Sequence, residues 1–250
     1  MDLIERPATA GLRHPWETAR LQHFRAVLHG AGFRGRDLRV LDLGAGDGWP
    51  AASLIPFFGR GTQVLCVDLN YDDEALATLA PGVDGAREVP ADGTYDLVML
   101  LDVLEHVEHD DTLLGRLVSK HLADEGRVLV SVPAWPSLFS AHDHALGHYR
   151  RYRPSEGLAL IRRAGLEPEW TSGLFGSLLV VRGLQALIER FRSPREGQPH
   201  TLEWRAGALS ARIVDGFLRL DAWISRVLAR IGLRLPGLTW WALCRRASDG

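Results

Sequence analysis

Val40-Leu41-Asp42-Leu43-Gly44-Ala45-Gly46-Asp47-Gly48-Trp49-Pro50 is the stretch on which the fold turns. An apolar run beginning at Leu38 ends in a glycine-rich bend and passes into a helical segment whose first turn tolerates Pro50. Glycines at such a bend permit positive φ and let backbone amides approach a ligand, and amides at a helix start attract anionic groups. The spacing is GxGxG. A dinucleotide fingerprint would need a third glycine where Trp49 stands, which argues against a nicotinamide-dependent oxidoreductase. Some twenty residues on, Asp68 ends a second apolar run, where a carboxylate can accept both hydroxyls of a ribose.

Outward from this bend, strand and helix patterns alternate. Apolar periodicity predicts a leading helix over residues 13–32, with Trp16, Leu21, Phe24, Val27 and Leu28 on one side. Strands are expected at 38–43, 63–68, 86–89, 95–101 and 126–132, with helices at 49–58, 72–79 and 112–121 between them. This is the βαβ rhythm of a doubly wound parallel sheet. Residues 133–153 read as a polar, histidine-rich loop, followed by a helix over 154–164 and a strand over 169–175. Two long helical patterns, 178–191 and 209–231, flank a loop containing Pro194, Gly197 and Pro199. The Pro236-Gly237 turn then leads to a buried strand at 239–244.

With these motifs in place the chain resembles the class I S-adenosylmethionine-dependent methyltransferases. Residues 40–48 look like their first motif, and Val67-Asp68-Leu69 like their acidic second-strand motif. Tyr95-Asp96-Leu97-Val98 with Leu101-Asp102-Val103-Leu104-Glu105-His106-Val107 looks like their fourth-strand segment, and Gly126 to Pro133 like the fifth. The LEHV form is typical of a branch that includes ubiquinone-pathway O-methyltransferases and many small-molecule enzymes. The resemblance implies an α/β, Rossmann-like seven-stranded sheet whose last strand is antiparallel, with an all-helical insertion between the last two strands. The methyltransferase core would then span residues 1–175 and 236–250, and the insertion 176–235. For the cofactor, S-adenosyl-L-methionine, it implies that Gly44, Ala45, Gly46, Asp47 and Gly48 pass under the methionine part. Asp42 would indirectly hold its amino group, Asp68 the ribose, Leu69 the adenine, and the Leu101 backbone the ammonium. The acidic residue that this family carries after its third strand is displaced here, at Asp84-Gly85-Ala86.

Methyl transfer from a sulfonium needs alignment and exclusion of water, and an oxygen or nitrogen nucleophile can also need a general base. Histidine titrates in the useful range. Ser140 to Tyr152 follows the fifth strand, at the sheet edge where open α/β folds bind ligands. His144 or His142 is therefore the expected base, with His106, just after the fourth strand, an equal in position. His148, Tyr149, Arg151 and Tyr152 are the expected substrate contacts, and Arg150 with Arg151 could meet a carboxylate or phosphate. Asp102, Glu105 and His106 resemble an acidic/His cluster with which some quinone-pathway relatives hold a divalent metal. A hard cation needs several converging oxygens, so no metal site is expected, and Glu105 is expected to satisfy amides at a helix start.

In the helical insertion, Leu209, Ile213, Phe217, Leu220, Ile224, Val227 and Ile231 form one apolar stripe, and Arg205, Arg212, Arg219 and Arg226 recur every seven residues on another face. The preferred expectation is a pair of helices packed through this stripe as a lid or a homodimer contact. Docking on an anionic membrane, with a lipid-linked substrate, is the other. Charge sharpens the division: residues 173–250 hold 12 Arg against 6 acidic groups, a net of +6, within a chain of net −2. That overall charge gives a nucleic-acid partner no support. Cys66 and Cys244 are too few for a disulfide framework. The first residues lack a basic region followed by an apolar one, and no apolar run approaches the ~20 residues of a spanning helix, so a cytoplasmic protein is expected. The expected function is methyl transfer to a small molecule, most readily at oxygen, in natural-product or surface-glycan biosynthesis. A noncatalytic cofactor-binding assembly module is the alternative.

Overall fold

The computed structural model describes residues 13–190 and 207–247. Seven strands form one sheet in the order β3-β2-β1-β4-β5-β7-β6. They are β1 (Arg39–Leu43), β2 (Gln63–Val67), β3 (Asp84–Ala86), β4 (Tyr95–Leu101), β5 (Leu122–Pro133), β6 (Leu166–Leu174) and β7 (Thr239–Arg246). The first five pair in parallel, and β7 inserts antiparallel between β5 and β6. Among the described residues eight α-helices accompany them: α1 (Pro15–Gly30), α2 (Trp49–Leu54), α3 (Asp73–Ala77), α4 (Asp110–His121), α5 (Ala141–Ala145), α6 (Pro154–Arg163), α7 (Gly176–Arg190) and α8 (Gly207–Arg230). The expected seven-stranded sheet with its antiparallel last strand is therefore the one observed, and α7 and α8 lie in the chain between β6 and β7.

Both faces of the sheet are covered, so its central strands are apolar on both sides. In β4, Leu97, Met99 and Leu101 join the core shared with Phe24 and Leu28 of α1 and Leu54 of α2, while Val98 and Leu100 join the core of α4 and α6. β7 alternates in the same way, sending Trp241 and Leu243 to the first side and Trp240, Ala242 and Cys244 to the second. Each large side chain so buried stabilises the fold by roughly 1.5–3 kcal/mol.

Three expectations change. The third strand lies slightly earlier than expected, at Asp84–Ala86, because Leu65, Cys66 and Val67 pair with it there. The expected polar loop contains a 3₁₀ turn, Pro136–Leu138, and the one-turn helix α5. Ser140 caps α5, both its backbone N–H and its hydroxyl donating to Asp143 Oδ2 at 2.9 and 3.0 Å. The apolar stripe of α8 does not pack inward. Leu218 and Ala222 are buried in the core on the α1 side of the sheet, whereas Ile213, Phe217, Leu220 and Ile224 face solvent. Arg205 and the Pro194, Gly197 and Pro199 loop lie outside the described residues.

Candidate active site

All parallel strands end at the same sheet edge, and a crevice of about 690 Å³ opens there. The bend after β1 forms one wall. Gly44, Gly46 and Gly48 have φ of 66°, 58° and 71°, a backbone that side chains other than glycine resist. The Gly44 and Ala45 amides donate to the Val67 carbonyl at 2.7 and 3.2 Å, tying the bend to the end of β2. A methyl on Gly44 would lie 2.6 Å from the Val103 side chain, so the bend and the segment after β4 touch without room to spare.

Asp68 lines the crevice while its carboxylate also organises the bend. Oδ2 accepts from the Gly46 amide at 3.2 Å and Oδ1 from the Asn70 amide at 3.0 Å. A carboxylate has acceptor sites beyond these two. Leu69 stands beside it, 81% exposed, at the rim. Asp42 is buried under the bend, and its Oδ2 has no hydrogen-bond partner. Burial pushes its pKa up to about 7, with Arg20 opposing the rise and Asp47 and Asp68 adding to it. Asp47 itself is ion-paired with Arg13 and accepts from the Trp49 amide at 3.1 Å, which fixes the start of α2. The Leu101 side chain turns away from the crevice, toward Arg20, Phe24 and Leu129.

After β4 the chain makes a strained turn. Asp102 has φ +59° and is held by an ion pair with Arg20 of α1 and by the Ser131 hydroxyl, which donates to its Oδ1 at 3.0 Å. Asp102, Val103 and His106 then line the crevice. Arg13 and Arg20 were missed in the sequence as site residues. Arg20 lies on α1 and Arg13 just ahead of its first residue, Pro15, so their seven-residue spacing does not reflect a shared helical face. Arg87, Glu88 and Val89, just past β3, also line the crevice, so the wall expected from Asp84 is supplied three to five positions later.

The histidines separate sharply. His142 and His144 are exposed on α5 and do not line the crevice; the His144 ring instead sits 4.8 Å from that of Phe139. Between them Asp143 is wholly buried. It lies 3.0 Å from His148 Nδ1 and accepts from Arg151 Nε at 2.7 Å. Burial alone would raise its pKa, but the His148 and Arg151 bonds outweigh it and hold the carboxyl well below its ordinary range. His148 in turn meets His106 edge to face, with ring centroids 4.6 Å apart.

The expected substrate contacts mostly hold the protein itself. Arg151 is engaged by Asp143, and Arg150 pairs with Asp110 at 3.2 Å. The buried Tyr152 hydroxyl lies 2.7 Å from Asp110 Oδ2 and 2.9 Å from the Leu104 carbonyl, bracing the 3₁₀ turn that carries His106. The Tyr149 ring is exposed, and its amide donates to the Glu105 carbonyl at 2.7 Å.

Glu105 does not satisfy amides as expected. It is 1% exposed, neither carboxyl oxygen has a hydrogen-bond partner, and burial pushes its pKa up to about 8. Potential ligand atoms of Glu105, His106 and His148 lie within 4.8 Å of one another, so a cation-binding set here would use His148 and not Asp102.

The donor set suits S-adenosylmethionine. Asp68 and Asp102 line the crevice and the Oδ2 of the buried Asp42 has no hydrogen-bond partner, a set that would suit a group carrying an ammonium, a sulfonium and two ribose hydroxyls. A family model described as a methyltransferase domain matches residues 15–170. The ubiquinone biosynthesis O-methyltransferase of Rickettsia conorii is 30% identical over 103 residues, 38% of this chain and 34% of that protein. The chain thus matches about a third of the length of that curated relative. The S-adenosylmethionine-dependent methyltransferase of Mesorhizobium loti is 18% identical, with 88% of this chain and 96% of that one covered at a TM-score of 0.52. The [4+2]-cyclase SpnF is 15% identical, with 99% and 90% covered at a TM-score of 0.56, which shows the fold alone. On the match over residues 15–170, and with this sheet order, the chain belongs to the methyltransferase domain family, on the class I fold that uses S-adenosylmethionine as methyl donor.

Proposed function

We propose that this protein transfers a methyl group from S-adenosylmethionine to an oxygen of a small-molecule acceptor, in natural-product or surface-glycan biosynthesis. The observation that carries this is the crevice with two unlike walls: carboxylates and a glycine bend on one, His106 backed by the His148–Asp143 pair on the other. Its volume falls in the range of small-molecule sites. Support for oxygen comes from the name of the Rickettsia relative.

When bound, S-adenosylmethionine supplies a methyl already activated on sulfur. On this assignment Asp68 accepts from the ribose hydroxyls, Asp42 and the bend oppose the methionine ammonium, and Leu69 covers the adenine. Gly44, Gly46 and Gly48 let the chain lie close to the ligand. His106 accepts the acceptor's proton, and His148, oriented by Asp143, passes it on or shares its charge. These residues align the nucleophile and take up its proton, which is what an in-line displacement asks of a protein. His142 and His144, being outside the crevice lining, take no part in this scheme.

Calorimetric titration with S-adenosylhomocysteine tests the first half: wild type binds and Asp68→Ala does not. Incubation with methyl-labelled donor and a panel of phenols and sugar nucleotides tests the second. Label on oxygen supports the assignment; label on nitrogen or carbon, or binding of the product with no transfer to any acceptor, sinks it.

A further inference from the structure

Helices α7 and α8 carry apolar surface that nothing in the chain covers among the described residues. On α8, Ile213, Phe217, Leu220, Trp223 and Ile224 are 41% to 65% exposed. Val180, Val181 and Leu184 of α7 are exposed as well. At 3.6 residues per turn these α8 residues form a strip separate from the inward strip of Val214, Leu218, Ala222 and Ser225. Arg212 and Arg219 run between the two.

Polar anchors hold α8 in this orientation. Thr18 of α1 donates to Asp215 at 2.6 Å, Ser225 to the Gly173 carbonyl at 2.5 Å, and the Ser177 amide to Asp221 at 2.9 Å. Both acidic residues of this helix are thereby spent on internal partners, and Asp215 also pairs with Arg219 at 2.7 Å. The charge left beside the apolar strip on α8 is arginine, with Arg212 exposed, and Arg234, four residues past the end of the helix, is exposed as well.

We propose that the α7–α8 face docks this protein on an anionic lipid bilayer. Phe217, Trp223 and Ile224 would enter the boundary between headgroups and acyl chains, and Arg212 and Arg234 would lie among the phosphates. An apolar strip with aromatic residues, flanked on one side by arginine and with the acidic groups of α8 engaged internally, has the composition of an interfacial helix. A second copy fits less well, because a two-fold contact would set this arginine-flanked face against itself, and the acidic groups of α8 are already engaged within the chain. No described helix is long and apolar enough to cross a membrane, so the contact is with one leaflet.

The face reaches the crevice only through other elements, because α8 packs on the α1 side of the sheet whereas α4 lines the crevice from the other side. α7 starts directly after β6 and packs on the 3₁₀ turn Pro136–Leu138 that leads to α5, and α8 lies along α1, whose Arg20 holds Asp102.

Sedimentation of the full-length protein with vesicles tests this, using phosphatidylcholine alone against an equal mixture with phosphatidylglycerol, at low and high salt. Pelleting with the mixed vesicles, weakened by salt, is expected. Phe217→Ser with Trp223→Ser, and separately Arg212→Gln with Arg234→Gln, should each lower partitioning by about tenfold or more, with the thermal midpoint unchanged. Wild type that stays in solution, pellets equally with neutral lipid, or pellets as well after either pair of substitutions overturns the proposal. So does sedimentation equilibrium showing a dimer that Phe217→Ser with Trp223→Ser disperses while lipid binding is unaffected. None of these readouts depends on methyl transfer.

Discussion

Asp143 lies 3.0 Å from Nδ1 of His148, and the two side chains are 0% and 9% exposed. A carboxylate held ionised can only accept, so Nδ1 of the ring carries a proton. His106 meets this ring edge to face, and on the proposed assignment the pair serves as the base machinery of the reaction. His148→Gln should lower kcat by about a hundredfold or more with little change in KM. His142→Gln and His144→Gln should leave both nearly unchanged. A loss in either exposed-histidine variant equal to that of His148→Gln would reverse the assignment.

Asp143 also carries structural weight, since Arg151 and the Ser140 cap both depend on it. Replacing it by Ala strands a buried guanidinium and should cost about 3 kcal/mol at neutral pH. The carboxyl is held below its ordinary value of 3.8, so its contribution is present above that value and is lost as pH falls through the folded one. Denaturant melts should therefore show the gap between wild type and Asp143→Ala narrowing in strong acid.

Glu105 predicts the opposite slope. Its pKa rises from 4.5 to about 8 because burial penalises the anion. The folded protein holds a proton that the unfolded chain releases, so this group's contribution is intact below 4.5 and is lost as pH climbs toward 8. Glu105→Gln keeps the shape and removes the titration. Thermal midpoints measured across that window should fall in wild type and stay flatter in the variant. Parallel curves would mean that Glu105 finds a partner in solution.

The sheet was legible because its strands are buried on both faces and therefore appear as unbroken apolar runs, as at Leu97 to Leu101 and Val128 to Val132. The glycine bend and Asp68 were legible because positive φ and a strand-end carboxylate leave marks in composition. Three things were not. Leu218 and Ala222 form an inward strip on α8 no less periodic than Ile213, Phe217 and Ile224, and periodicity identifies an apolar strip without saying what lies opposite it. The histidine segment failed for a related reason. In a single helical turn adjacent residues point in different directions, so burying Asp143 sends His142 and His144 outward. Glu105 was misjudged because nothing local announces that a carboxyl is buried without a donor.

On the proposed assignment, Asp42 would couple cofactor binding to pH. Its pKa stands near 7, raised by burial and by Asp47 and Asp68 against the pull of Arg20, so much of it is protonated in weak acid. A bound ammonium and sulfonium favour the ionised form. Affinity for S-adenosylhomocysteine, which keeps the ammonium, should therefore increase as pH rises through about 7 and level off above it. Asp42→Asn should bind more weakly above that point and show little dependence below it. The same titration on Gly44→Ala separates charge from shape, because the added methyl meets Val103 at 2.6 Å on a backbone with φ +66°. That variant should lose about 1–3 kcal/mol of stability while keeping the pH slope, and Val103→Ala in the same chain should restore part of the loss. Were Asp42→Asn to follow the wild-type slope, the titrating group would lie elsewhere, and the buried carboxyl beneath the bend would have no part in holding the ligand.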